Sequence, residues 1–453
     1  MSDVSNLTEE EKSELSKDFN FWSLMKFVFP SIFTFVFIAV YQMVDGFFIE
    51  KFVGEIAISA VNLYYPIISL FIAIGIMLGT GGNAIIVKKV GEGKNKEAGK
   101  TFSNTVMFSI LVGIVLTIIC LVFSTPIMKL CGATSGNIVF LKPYYIVLSI
   151  FAISIILQSA LGILIIGEGK SVTAAIVIII GGVLNCVLDY IFMKYLNMGI
   201  MGAAIATVIG YLSTIVYAVY YYLIGKKSRY TLEVTRLNLK EIGKICFNGS
   251  SDMVSNLAGG VTAIVMNHLA GKFYGEIGVS ALSIVLYLQF FVEAIFMGLT
   301  SAVEPVFSFH YGTGNTKMRK KVFKLSNIWI VVLSIVILGV TYIFSDNIIS
   351  IFFEKGTEIF EITKLGIKVS VLASVFVGFN TFLSGVFTAF SNGLISGILS
   401  FVRSFAILTA CLYLLSYLFN ENGLWAALPV AEFLSFIVCL VFIFKYKNKY
   451  EYL

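Results

Sequence analysis

Charge is what this sequence has least of. Only 13% of its 453 residues are Asp, Glu, Lys or Arg, against 58% hydrophobic residues and a mean hydropathy of +0.93. A soluble globular chain carries about 25% charged residues, so roughly half of the expected charge is missing. Histidine is nearly absent too. His268 and His310 are too few and too far apart for a His-based metal centre. The cysteines Cys120, Cys131, Cys186, Cys246, Cys411 and Cys439 form no CxxC pair and have no metal-ligand spacing. Most lie inside apolar runs and read as reduced, buried thiols without a disulfide framework. The sequence contains no GxxxxGK[ST], so Gly91-Glu92-Gly93 is not a phosphate loop and direct ATP hydrolysis is not indicated. A metal-binding DDxxD motif is also missing, which removes the usual signature of a membrane-embedded transferase. The chain is therefore expected not to be an enzyme and to need no cofactor. Met1–Asn20 is polar and acidic, with no short apolar core before a small-residue cleavage site, so no cleavable signal peptide is expected.

What remains is apolar sequence in runs of 20 or more residues from end to end, the mark of a polytopic all-α membrane protein rather than a β-barrel. Twelve spans are expected: Leu24–Phe48, Ile58–Val87, Phe102–Phe123, Pro143–Ile166, Val172–Met193 and Ile200–Ile224, then Glu241–Ala270, Val279–Phe307, Val322–Phe344, Ile362–Ala389, Leu394–Leu418 and Leu424–Phe444. Lysine and arginine cluster in alternate connections. Examples are Lys88, Lys89, Lys94, Lys96 and Lys100 after span two, and Lys226, Lys227, Arg229, Arg236, Lys240 and Lys244 after span six. Further clusters are Lys317, Arg319, Lys320, Lys321 and Lys324 after span eight, and Lys445, Lys447 and Lys449 after span twelve. This asymmetry puts both termini in the cytoplasm, in a multi-pass protein of the cell membrane. It also accounts for the net charge of +6 without a nucleic-acid partner.

The chain repeats itself. Gly54-Glu55-Ile56-Ala57-Ile58-Ser59-Ala60 aligns with Gly275-Glu276-Ile277-Gly278-Val279-Ser280-Ala281, a shift of 275 − 54 = 221. The same shift carries Gly91-Glu92-Gly93 onto Gly312-Thr313-Gly314, Phe102 onto Phe323 and Gly202 onto Gly423. Each half holds six spans, so both halves enter the membrane from the same side. The expected fold is twelve transmembrane helices in two six-helix lobes, related by a pseudo-two-fold axis along the membrane normal. The divisions are a cytoplasmic segment 1–23, an N-lobe 24–224, a linker 225–240, a C-lobe 241–446 and a cytoplasmic tail 447–453. Two like bundles facing each other suit alternating access around a central cavity.

Asn185-Cys186-Val187-Leu188-Asp189 lies near the end of the fifth span. An amide and a carboxylate four residues apart share one helix face. A carboxylate there costs on the order of 3 kcal/mol unless a partner or water receives it. Topology places Asp45 of span one and Thr207 of span six at a similar depth. Four hard oxygen groups, two of them carboxylates, could hold Na⁺, or the two carboxylates could share a proton because like charges oppose double ionisation. Capping of helix ends at the interface is the alternative reading of Asp45 and Asp189. Adding 221 lands on Met266, Ala406, Ala410 and Leu428, so the polar group has no counterpart in the second half. Tyr41, Gln42, Gln158 and Glu293 are candidate cavity residues. Glu304-Pro305 reads as a kink or a substrate contact, and His310, Arg403 and Glu432 are further intramembrane polar residues.

On Val44-Asp45-Gly46-Phe47-Phe48-Ile49, Ser59–Pro66, Gly91-Glu92-Gly93, Asn185–Asp189, Gly199–Thr207 and Glu304–Gly312, the chain resembles the multidrug and toxic compound extrusion (MATE) family over nearly its whole length. The aspartates in spans one and five make it similar to the bacterial MepA- and DinF-like branch. The resemblance implies two V-shaped lobes and export of cationic or amphipathic drugs, driven by inward H⁺ or Na⁺. It also implies that Asp45, Asn185, Asp189 and Thr207 form the N-lobe cation site. Glu304 and His310 depart from the family's usual Gln and Asn, which leaves room for a second acidic site in the C-lobe. The expected activity is secondary-active multidrug antiport by a monomer in the lipid bilayer, acting on small-molecule drugs and organic cations. A lipid-linked sugar flippase of the same superfamily is the alternative. It would want a more cationic cavity for a pyrophosphate, and usually additional spans.

Overall fold

The computed structural model describes residues 14–131, 138–224, 230, 232–233 and 236–453, so Lys226, Lys227 and Arg229 of the basic linker lie outside the described residues. The first half contains α1 (Phe21–Phe52), α2 (Glu55–Gly91), α3 (Asn95–Val122), α4 (Ser124–Leu130), α5 (Ile138–Ile150), α6 (Ala152–Gly167), α7 (Ser171–Tyr190) and α8 (Gly199–Val219). The second half contains α9 (Leu239–Gly312), α10 (Thr316–Ile349), α11 (Glu358–Ser370), α12 (Ser374–Ala389), α13 (Gly393–Phe401) and α14 (Leu408–Tyr450). No strand occurs among the described residues. In a bilayer every backbone N–H and C=O must be satisfied within the segment, and helices do this.

Two of these helices are really pairs. The backbone of α9 breaks at Gly275 (φ 65°), and that of α14 breaks at Asn420 (φ 52°). Splitting them, joining α5 to α6 and α11 to α12, and running α13 into the first part of α14 recovers the twelve expected spans. The fourth, expected as one span over Pro143–Ile166, is sharply bent: α5 and α6 meet at 56° around Phe151. The tenth passes through a 3₁₀ turn at Val371–Ala373, and the eleventh through a π turn at Val402–Ile407.

The 221-residue repeat is visible in the backbone. Gly54 (φ 109°) and Gly275 (φ 65°), Gly93 (φ 77°) and Gly314 (φ 69°), and Gly199 (φ 57°) and Asn420 (φ 52°) are pairs of left-handed residues at equivalent positions. A left-handed residue is costly for anything but glycine or asparagine, so both halves turn at the same places in the same way. Gly91 and Gly312, another equivalent pair, touch each other. A Cβ on Gly91 would meet the Gly312 Cα at 3.0 Å, and one on Gly312 would meet the Gly91 Cα at 2.9 Å. Equivalent residues can meet only where the pseudo-two-fold axis passes.

Capping and lipid exposure follow simple rules. Asn20 and Ser23 close a reciprocal capping box at the start of α1, with Ser23 N–H donating to Asn20 Oδ1 at 2.8 Å. Asn238 and Asn315 cap α9 and α10. Ile110, Ile114, Ile118 and Val122 are all exposed at four-residue spacing along α3, an apolar stripe that suits lipid. The end carrying the basic clusters is also where the lobes meet. There Glu241 of α9 accepts from Lys89 of α2 at 2.7 Å, and from Thr101 and Asn104 of α3 at 2.6 and 2.8 Å. Deeper along the same seam, small residues bring backbones together. A Cβ on Gly249 would lie 1.9 Å from the Met77 carbonyl, one on Gly81 2.1 Å from the Ile245 carbonyl, and one on Gly298 2.5 Å from the Ile32 Cα. Met77 and Gly298 are again 221 residues apart, so the two seams, α2 on the start of α9 and α1 on its second half, are symmetric copies.

Candidate functional site

The site starts from a close helix crossing. In α7 the run Ile178-Ile179-Ile180 is followed by Gly181-Gly182, and a Cβ on Gly181 would meet the Gly210 carbonyl of α8 at 2.8 Å. Bare backbone at both positions lets α7 and α8 approach. That approach sets Asn185, one turn beyond Gly181, against Thr207, one turn before Gly210. Asn185 Nδ2 donates to Thr207 Oγ1 at 3.4 Å, and Thr207 Oγ1 donates to the Ala203 carbonyl at 3.0 Å. Gly182 makes room for α1 on the other side: a Cβ there would lie 2.6 Å from Phe37 Cε1 and 3.1 Å from Tyr41 Cδ1.

One further turn along α7, the fully buried Asp189 meets the half-buried Asp45 of α1. The two carboxyl groups lie within hydrogen-bonding reach of each other, and the Asn185 amide lies within reach of Asp189. Asp45 Oδ1 and both oxygens of Asp189 are buried without a well-formed bond from a protein donor. No lysine, arginine or histidine among the described residues forms an ion pair with either. Two touching carboxylates in an apolar bundle cannot both keep their charge unaided. A bound cation or a shared proton is needed, because the low surrounding dielectric enlarges their repulsion. The pair stands next to irregular backbone, since α7 passes at Tyr190 into a π turn over Ile191–Tyr195. Such turns often occur at functional sites.

Beside the pair, Tyr41, Gln158, Ile178, Gly181, Gly182, Asn185, Thr207, Gly210, Tyr211 and Thr214 line a narrow cleft. Its free space suits a single water molecule or a bare ion rather than a drug-sized ligand. Of the candidates read from sequence, Tyr41, Gln158, Asn185 and Thr207 share this cleft, with Asp45 and Asp189 at its margin. Gln42 does not join them: it is exposed, on another face of α1. Tyr211, which the sequence did not single out, faces Tyr41 within hydrogen-bonding reach. The Gly181–Gly182 pair inside an Ile-rich run was the available signal for a tight crossing here.

Glu293 sits on the other lobe. It lies within hydrogen-bonding reach of Gln289, one turn earlier on the same helix, feels the charges of Arg403 and Glu432, and is close enough to Tyr65 of α2 in the other lobe to act on it. Arg403 is already engaged. Its Nε donates to both Glu432 oxygens at 3.0 Å and its Nη1 to Thr381 Oγ1 at 3.2 Å, while Asn380 Nδ2 donates to Glu432 Oε2 at 2.7 Å. The pair Arg403–Glu432 is neutral as a unit, and Glu293 forms no ion pair of its own among the described residues. Tyr65 opposite it is 56% exposed. His310 is buried near the end of α9, and Glu304 lies on the same helix facing α12. No cluster of three or more metal-ligating His, Cys, Asp or Glu side chains occurs among the described residues.

The family model MatE matches residues 30–191 and 253–444. The two matched segments sit one in each lobe. The multidrug export protein MepA of Staphylococcus saprophyticus is 23% identical over 449 residues, covering 98% of both chains. MepA of Staphylococcus aureus is 21% identical over 444 residues, again with 98% of both chains covered. Among solved structures, a MATE protein crystallised in complex with MaD3S superposes with a TM-score of 0.91 at 19% identity, over 98% of this chain and all of that one. The outward-facing conformation of a multidrug resistance MATE family transporter of the MOP superfamily also gives 0.91 at 19% identity, over 99% of this chain.

Proposed function

The chain belongs to the MatE family, and we propose that it is a secondary-active multidrug antiporter of the cell membrane, exporting cationic or amphipathic organic compounds in exchange for H⁺ or Na⁺. The observation that carries this reading is the contact between Asp45 and Asp189 beside the Asn185–Thr207 pair, a cation-hungry group present in one lobe only. A feature needed merely to hold the fold together would recur in the second half of a repeat. A coupling site needs to exist once. Proteins similar to this chain over 98% of its length are multidrug export proteins, and the paired lobes suit alternating access.

The mechanism follows from charge. With the basic end facing the cytoplasm, the seam at Gly81, Gly249 and Gly298 seals that side, which leaves the site reachable from outside. There Asp45 and Asp189 take up H⁺ or Na⁺. Asn185 and Thr207 supply neutral oxygens, and Tyr41 and Tyr211 hold the neighbouring wall. Neutralising the carboxylates removes the repulsion between α1 and α7 and favours repacking of α1 against α7. Repacking closes the space beside Tyr41 and Gln158 and displaces the organic cation, for which Glu293 provides a further contact. Reversal needs release of the ion on the cytoplasmic side. The coupling works only because ion and drug bind the two states unequally.

The test is uptake of a fluorescent cationic dye by proteoliposomes under separately imposed pH and Na⁺ gradients. Asp189→Asn is expected to abolish the gradient-driven component, and Asn185→Ala to weaken it. Undiminished gradient-driven transport by Asp189→Asn would sink the assignment.

A further inference from the structure

A second carboxylate pair lies far from the first. Asp252, on the first half of α9, comes three residues after Gly249, whose backbone is pressed against Met77 and Gly81 of α2. It therefore sits in the seam between the lobes. Its carboxyl group is within hydrogen-bonding reach of Thr80 of the opposite lobe, and its Oδ2 is buried without a partner. Glu304, on the second half of α9, is only 9% exposed and close enough to Asp252 for the two charges to interact. Its Oε1 occupies the clearance left by Gly385 of α12, where a Cβ would lie 2.4 Å from that oxygen.

Two neighbouring side chains point to a ligand rather than to a packing accident. Thr300 is one turn before Glu304 and also abuts Gly385, where a Cβ would lie 2.5 Å from the Thr300 Cγ2. It is 6% exposed, and its hydroxyl has no partner. Asn248, one turn before Asp252, is 2% exposed. Its amide nitrogen donates to the Thr388 carbonyl at 3.0 Å, while its Oδ1 is left without a partner. Buried polar atoms of this kind carry a desolvation cost unless something satisfies them. The elements packed around the pair offer Thr80 from α2 and Gly385 and Thr388 from α12, none of them charged, and no ion pair among the described residues involves either carboxylate. The repeat positions 221 residues earlier are Ser31 and Asn83, so this acidic pair, like the first, exists in one lobe only.

We propose that Asp252 and Glu304, completed by Thr80 from the opposite lobe, form a second site for a small monovalent cation, a proton or Na⁺, whose occupancy closes the seam between the lobes. The oxygen-only surroundings suit a hard cation. Thr80 comes from α2, so the site is whole only when the lobes are together. A ligand that binds the closed state better than the open one shifts the equilibrium toward closure. The inference stands on the seam and not on the N-lobe pair, so the two assignments can fail separately.

The experiment uses the full chain with its six cysteines replaced and spin labels at Lys96→Cys and Lys317→Cys, which are exposed on opposite lobes at the basic end. Asp45→Asn and Asp189→Asn are included to silence the N-lobe pair. Acidification, or Na⁺ replacing choline at constant ionic strength, is expected to raise the short-distance population several-fold. Response to acid alone identifies the proton, and response to Na⁺ alone identifies sodium. Adding Asp252→Asn and Glu304→Gln together is expected to fix the short distance whatever the pH or Na⁺. If that combination does not fold, either substitution alone is expected to raise the short-distance population before any cation is added, because it already removes the repulsion between the two carboxylates. A response that survives both substitutions unchanged, or no response while both carboxylates are present, overturns the proposal.

Discussion

Gly249→Ala tests whether the glycine seam belongs to one conformation of the transporter. The added Cβ would lie 1.9 Å from the Met77 carbonyl oxygen, 2.8 Å from its carbon and 3.0 Å from the Gly81 nitrogen. Ordinary contact begins at 3.4 Å, so α2 and α9 must separate by 3.4 − 1.9 = 1.5 Å. Both neighbours are helix backbone and cannot rotate away as a side chain would. Overpacking of this kind costs about 1–3 kcal/mol, and the cost is borne only by the state in which the lobes touch. The closed-to-open ratio is therefore expected to fall about 5- to 150-fold. Distance measurements between labels at Lys96→Cys and Lys317→Cys should show the long-distance population growing, while the melting temperature in detergent changes little. Gly243→Ala on the same helix is the control, because a Cβ there meets nothing within 4 Å. A distance distribution in Gly249→Ala indistinguishable from that of Gly243→Ala would refute the reasoning, as would a global loss of folding.

Other perturbations reach other parts of the molecule. Arg403→Leu removes the partner of the 6% exposed Glu432 carboxylate and is expected to destabilise the protein by about 3–5 kcal/mol, read as a lower unfolding temperature by fluorescence-detected size exclusion. Arg403→Leu with Glu432→Leu should recover most of it, because no unpaired charge is left. Gly182→Leu drives a side chain into the rings of Phe37 and Tyr41, so gradient-driven dye transport is expected to fall while the unfolding temperature stays close to wild type. In the same transport assay, Gln42→Ala is expected to change dye affinity far less than Tyr41→Ala, since Gln42 is exposed outside the cleft.

Much of the architecture is legible in the sequence because membrane insertion is a local rule. About 20 apolar residues span a bilayer wherever they occur, so Phe102–Phe123 or Val322–Phe344 can be recognised without knowing any neighbour. The repeat is equally linear, since Gly54 and Gly275 announce the same turn at a fixed offset. The carboxylates Asp45 and Asp189 stand out because charge is so rare in such runs. Phase around a helix is less easily read. Tyr41 and Gln42 are adjacent in sequence and equally polar, yet one lines the cleft and the other is exposed, a difference set by where α7 and Gly182 press on α1.

The sequence by itself determined the twelve spans, the two equivalent halves and the restriction of the Asp45–Asp189 group to one of them. Hydropathy and register are properties of the chain taken in order. Only the tertiary structure decided the 56° bend at Phe151, the pairing of Arg403 with Glu432, the meeting of Gly91 with Gly312 on the axis, and the convergence of Asp252, Glu304 and Thr80. Those contacts join residues from 29 to 224 positions apart. Bare glycine backbone at Gly81 and Gly249, at Gly91 and Gly312, and at Gly385 lets particular helix faces approach, and no pattern along a single helix says which face its neighbour will meet.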